Sequence, residues 1–149
     1  MSLKEVLQQD WKEAVKSKDR FRANVISMAK AAILLYEKSG ASNEVTDDIV
    51  VDIISKEVKQ RREAIVEFEK GNRTDLIKAA QDEIDILLKY LPQQLTENEV
   101  NEIIEKSAIE VGASSIKDMG ILMSAVVPKT KGRADGKLVS TLVKEYLSK

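Results

Sequence analysis

Residues 46–71 read TDDIVVDIISKEVKQRREAIVEFEKG, and whether the VVDII inside them is a strand or part of a helix decides the fold. A run of Val and Ile has the composition of a buried strand, but its flanks read as helix. Thr46 is a helix-capping residue type, and Asp47 and Asp48 fall in the first turn, where the positive end of the helix dipole favours carboxylates. Downstream, Val58, Ile65, Val66 and Phe68 recur among charged residues up to Gly71, which suits one long helix.

The same signals extend outward. Ser2 followed by Glu5 is a capping-box pattern, and Leu3, Val6, Leu7, Trp11, Ala14 and Val15 then recur at helical spacing. A second helix is expected from near Asp19 to Lys38, with Phe21, Val25, Met28, Ala32 and Leu35 as its apolar face. SGASNE, residues 39–44, reads as a loop, with Gly40 as a helix stop. Thr74 opens the next helix, DLIKAAQDEIDILLKYL, which Pro92 closes. Thr96 with Glu99 is a second capping box, heading a helix that runs to Gly112. Ser115 with Asp118 marks a further start, from which MGILMSAVV runs to Pro128. A last helix is expected from about Asp135 to Leu147, with Leu138, Val139, Leu142, Val143 and Leu147 facing a core. The expectation is an all-α chain of about seven helices.

Punctuation and charge suggest two helical domains. Pro92 breaks a helix and Thr96 starts anew, giving a larger N-terminal domain, 1–91, and a small three-helix C-terminal domain, 96–149. Four of the six glycines (112, 120, 132 and 136) fall in the last 38 residues. Residues 92–127 hold six acids and two bases, whereas residues 128–149 hold six bases and two acids. A formal charge of −1 for the whole chain conceals that polarity.

Composition narrows the chemistry. With 43% apolar and 33% charged residues the 149-residue chain can build a globular core. No apolar run nears the ~20 residues of a membrane span. The amphipathic start, MSLKEVLQQDWKEAV, reads as neither signal nor transit peptide, so a cytoplasmic protein is expected. There is no histidine, which removes the usual general base and the commonest metal ligand. There is no cysteine, hence no thiolate nucleophile, disulfide or zinc-thiolate site. No cofactor and no metal site is expected.

Basic charge gathers in KSKDRFR (16–22), in KQRR (59–62) and in PKTKGRADGK (128–137), which holds four cations and two glycines. The last is not a nucleotide-binding P-loop. Three residues separate Gly132 from Gly136 where that motif needs four, and Leu138, not Ser or Thr, follows Lys137. Cations and glycines at a helix start can hold a phosphate of a nucleic-acid backbone, or simply form a solvated connection. GASS at 112–115 faintly resembles the serine loop of amidases, but helix capping accounts for it better, with no histidine to serve as base. The carboxylates are scattered on helix faces beside Lys or Arg. At 4% aromatic residues the chain makes no broad stacking platform for single strands.

REAIVEFEKGNRTDL (62–76), EIDILLKYLPQQLTENEV (83–100) and VGASSIKDMGILMSAVVPKTKGRADGKLVSTLVKEYL (111–147) together resemble the GatB/YqeY family, closest to its stand-alone YqeY-like proteins. YLPQQL and KGRADGK are the most specific parts of that likeness. The resemblance implies an all-helical, two-domain protein whose second domain is similar to the tail domain of GatB, a subunit of the tRNA-dependent amidotransferase. It implies tRNA as partner, with amidotransferase subunits or an aminoacyl-tRNA synthetase as further partners. The implied tRNA-contacting residues are Lys129, Lys131, Gly132, Arg133, Gly136, Lys137 and Lys144, with Met119, Gly120 and Met123 on the helix behind the loop. Ser27 stands where an arginine is expected from the resemblance. The family's label, carbon–nitrogen ligase with glutamine as amide donor, belongs to the full amidotransferase. No catalytic residue is identified in this chain. The function expected is a non-catalytic tRNA-affinity module. The alternatives are an accessory component of that ligase and a protein-interaction module working through the long charged helix.

Overall fold

The computed structural model describes residues 1–40 and 44–149; residues 41–43, in the SGASNE loop, lie outside the described residues. The described residues form seven α-helices and no strand, so the all-α expectation holds. They are α1 (Leu3–Lys16), α2 (Arg20–Lys38), α3 (Asp47–Lys70), α4 (Thr74–Leu88), α5 (Glu97–Val111), α6 (Met119–Thr130) and α7 (Gly136–Leu147), with a 3₁₀ turn at Ile116–Asp118.

VVDII lies inside α3. Thr46 Oγ1 accepts the Ile49 N–H at 3.3 Å, and Val50, Ile54, Val58 and Arg61 are buried, three or four positions apart as one helix face requires. Local capping decided the helix where the Val/Ile run alone suggested a strand.

Chain contacts gather into two compact units, Met1–Leu91 and Pro92–Lys149. The core of the first joins Leu7 of α1, Ile26, Ala29 and Ile33 of α2, Val50, Ile54 and Val58 of α3, and Ile84 and Leu87 of α4. Each large aliphatic side chain so buried contributes about 1.5–3 kcal/mol over leaving it in water. At the end of this unit the Tyr90 hydroxyl donates to Asp10 Oδ2 at 2.5 Å. Burial first, and then the hydrogen bond to Asp10, push the Tyr90 phenol well above its ordinary pKa, so it stays a donor. The second unit has its own core: Val100, Ile104 and Ala108 of α5, Leu122 and Val126 of α6, and Val139, Leu142, Val143 and Leu147 of α7.

Two expectations shift. The face expected for α2 is displaced. Val25 is buried, but Phe21, Met28 and Leu35 are 43%, 49% and 74% exposed, and the core side is Val25, Ile26, Ala29 and Ile33. At 100° per residue that is about a quarter turn away. α2 carries apolar residues on more than one side, and what packs on it selects the buried one. α4 opens at Thr74 as expected, with Arg73 at the cap position and no side-chain hydrogen bond there. α6 does not stop at Pro128 but runs to Thr130. Proline there removes a single N–H in the closing turn, which a helix end tolerates.

Candidate nucleic-acid interface

The loop between α6 and α7 begins where α6 ends. The Arg133 and Ala134 N–H groups donate to the Thr130 carbonyl at 2.9 and 3.1 Å, reversing the chain direction. Gly132, at φ +73°, supplies the left-handed residue the turn needs. Asp135 then caps α7, its carboxylate accepting the Lys137 N–H at 3.3 Å.

A second segment ties this loop down. The Gln94 side-chain amide donates to the Gly132 carbonyl at 2.8 Å and to the Pro92 carbonyl at 2.9 Å. The Leu95 N–H donates to the Arg133 carbonyl at 2.7 Å, and Arg133 Nε reaches the Gln93 carbonyl at 3.5 Å. The PQQL of the YLPQQL motif and the KGRADGK motif are therefore two sides of one structure, in which inward-turned carbonyls find donors from across the unit. Nothing in the sequence announced this role for Gln94, beyond its place in a distinctive motif.

The seven residues singled out in the sequence divide by environment. Lys131, Gly136, Lys137 and Lys144 are exposed, Arg133 is half-buried and Gly132 is buried. Lys129 is exposed but engaged: its ammonium donates to Ser107 Oγ at 2.9 Å and to Glu110 Oε2 at 3.0 Å on α5. A Cβ on Gly136 would meet nothing within 4 Å, so this glycine leaves open space at the start of α7. Of the helix behind the loop, Met119 and Met123 pack against the second core, while Gly120 faces solvent.

Carboxylates nearby are held by the backbone. The Glu99 carboxylate accepts the Thr96 N–H at 2.9 Å and Thr96 Oγ1 accepts the Glu99 N–H at 3.1 Å, completing the expected capping box. That backbone bond, with a small addition from the charge of Arg133, holds the Glu99 carboxyl below its ordinary pKa. Asp118 accepts the N–H groups of Ser114 and Ser115 at 2.9 and 3.2 Å, which lowers its pKa too. Gly112, at φ +71°, ends α5. GASS thus serves as a helix end followed by a capped turn, in keeping with the capping role expected for it.

The other basic clusters differ. In KQRR, Arg61 is 8% exposed; it donates to the Glu57 carbonyl at 2.9 Å and lies 3.3 and 3.7 Å from the carboxylates of Glu57 and Glu83. It is a buried ion-paired group, so KQRR is no continuous basic surface. KSKDRFR spans the turn from α1 to α2, where Lys18 and Arg20 are exposed and Arg22 lies 3.9 Å from Asp10. Among the described residues no cluster of acids has the arrangement of a metal site, and no helix is long and apolar enough to cross a membrane.

These features define an all-α protein that presents cations on a glycine-turned loop strapped by a neighbouring segment. The chain belongs to the Yqey-like protein family, which it matches over residues 4–147. It is 33% identical over 87 residues to the altered inheritance of mitochondria protein 41, mitochondrial, of Lachancea thermotolerans, covering 58% of this chain and 46% of that protein. It is 29% identical over 133 residues to the E-type subunit of glutamyl-tRNA(Gln) amidotransferase from Saccharolobus solfataricus, covering 83% of this chain and 20% of that protein. The corresponding amidotransferase protein of Thermococcus gammatolerans is 32% identical over 125 residues, covering 78% of this chain and 20% of that protein. The chain thus spans about half the length of the mitochondrial relatives and about a fifth of the amidotransferase subunits.

Proposed function

We propose that the unit Pro92–Lys149 is a tRNA-binding module in which the strapped loop and α7 grip phosphates without performing chemistry. The observation that carries this reading is the exposure of Lys131, Lys137 and Lys144 around a loop whose backbone is fixed at both Gly132 and Arg133. Fixing the loop in advance lowers the ordering cost of binding. The Asp135 carboxylate takes the Lys137 N–H at the start of α7, so the grip assigned here rests on side chains. Arg133 adds a half-buried guanidinium. In this reading Lys129 braces α6 against α5 instead of touching RNA. Similarity to amidotransferase proteins named for glutamyl-tRNA(Gln) supports tRNA over other polyanions. We take the two compact units as separate domains.

Labelled tRNA titrated at two salt concentrations tests this. Wild-type affinity falls steeply with salt, by about 0.9 in logarithmic slope per phosphate contacted. Lys131→Glu with Arg133→Glu weakens binding, and Lys137→Glu with Lys144→Glu, which leaves the strap alone, flattens the slope. Unchanged affinity in the second variant overturns the assignment. The likeness to the Saccharolobus solfataricus amidotransferase protein over 83% of this chain favours a second reading, a module working within an amidotransferase. Co-purification with amidotransferase subunits and faster Gln-tRNA formation would support it; the absence of both would remove it.

A further inference from the structure

On the first unit, between α1 and α2, lies a recess of about 530 Å³ with no part in the reading above. Its floor includes Ala14 and Ala23, and its walls carry Trp11, Lys18, Arg20, Asn24 and Ser27. The lining, which also includes Val15, therefore holds two cations, a carboxamide, a hydroxyl, an aromatic ring and three small apolar side chains, and no carboxylate. Asp19, the acid of the turn, is engaged in capping α2, its Oδ1 accepting the Arg22 N–H at 3.1 Å. Trp11 also walls an adjoining groove of about 690 Å³, where Lys30 sits 4.4 Å from the ring centroid. Trp11 lines the first recess as well, and Lys30 does not.

Lys18 adds an independent observation. It follows α1 at φ +60°, the position where helices prefer glycine or asparagine. The turn closes without the lysine side chain: the Ser17 N–H donates to the Glu13 carbonyl at 2.9 Å, the Asp19 N–H to the Ala14 carbonyl at 2.9 Å, and the Ser17 hydroxyl to the Ala14 carbonyl at 3.2 Å. The lysine side chain contributes nothing to that closure and carries backbone strain that glycine would not. What it supplies is charge at the mouth of the recess.

A site with two cations, no acid, an aromatic ring and neighbouring amide and hydroxyl groups has chemistry complementary to a nucleotide, and its size suits one. We infer that this recess binds a nucleotide unit, its phosphate between Lys18 and Arg20 and its base against Trp11. Asn24 and Ser27 hydrogen-bond the polar edge of the base or the ribose. The unit comes either from a single-stranded stretch of RNA or from a free nucleotide; the chemistry is shared.

Trp11 is the only tryptophan in the chain, so its emission reports on this recess directly. The full chain is titrated with AMP and, separately, with a single-stranded RNA octamer. The expected result is saturable quenching of Trp11, weakened about tenfold or more by Lys18→Gly and by Arg20→Gln. Lys18→Gly does so without lowering the thermal midpoint, because it relieves a left-handed residue. Equal affinity for AMP and the octamer identifies a mononucleotide site; much tighter binding of the octamer identifies an RNA strand. Emission unmoved by both up to about 1 mM, or quenching identical in wild type and both variants, overturns the inference. The Lys137→Glu with Lys144→Glu variant retains full quenching, which keeps this outcome separate from that of the loop.

Discussion

At residue 18 and again at residue 132 the chain leaves a helix through a left-handed residue, gathers cations, and enters the next helix under an aspartate cap. The two turns are secured differently. The one at Lys18 closes entirely through bonds to residues at most five positions away. The one at Gly132 is held by Gln94 and Leu95, 38 positions earlier. The local turn keeps a lysine where glycine would be less strained, whereas the strapped loop uses glycine and places its cations on the flanks. A turn that closes itself can accommodate a charged side chain at its strained position. A loop whose carbonyls must meet a distant amide needs the freer backbone.

Substitutions can break this contrast. The largest effect is expected from Gln94→Ala, which strips the donor from the Gly132 carbonyl. It should lower the unfolding free energy by about 1–3 kcal/mol in a urea titration, and no residue of the first turn has an equivalent. Gly132→Ala places a Cβ in the left-handed region and should cost about 1–2 kcal/mol by the same measurement. Lys18→Gly should act in the opposite direction, raising stability by under about 1 kcal/mol, because strain relief slightly exceeds glycine's entropic cost. If Gly132→Ala and Lys18→Gly move stability the same way, the two turns do not share the plan. Lys129→Met, which removes bonds to Ser107 and Glu110 from a well-exposed ammonium, should cost about 1 kcal/mol or less.

The smallest expected effect concerns pH. Glu99 and Asp118 both have folded pKa values below their ordinary ones. Their contribution is therefore complete above the unfolded carboxylate pKa and is lost as pH falls through the folded values. Urea midpoints measured down that acid range should fall, and Glu99→Gln should remove part of the dependence.

What could be read from the sequence follows the same division between near and far. The caps at Ser2, Thr46 and Thr96 were legible because every atom involved lies within a few residues. VVDII was assigned to a helix for the same reason. The buried side of α2 was not legible, since its apolar residues surround much of the helix and three other helices choose among them. Nor was the fate of the cations. Lys129 and Lys137 look alike in PKTKGRADGK, yet Ser107 and Glu110 engage the first from 22 and 19 positions away. Arg61 reads as surface charge in KQRR, but Glu83 on another helix draws it inward. Motif and charge located the loop; partners distant in sequence decide which of its residues face solvent.

The hydrogen bond from Tyr90 to Asp10 also carries a consequence for the order in which the protein is made. It spans 80 positions, joining the first helix to the last residues of the first unit. During synthesis α1 leaves the ribosome early but meets Tyr90 only after α2, α3 and α4 have emerged, several seconds later at ~5–20 residues per second. Until then Leu7 and its neighbours lack part of their cover, and a nascent chain paused before residue 90 should resemble an unfinished bundle open to chaperones. Once Tyr90 emerges, the first unit can close before α5, α6 and α7 have left the ribosome.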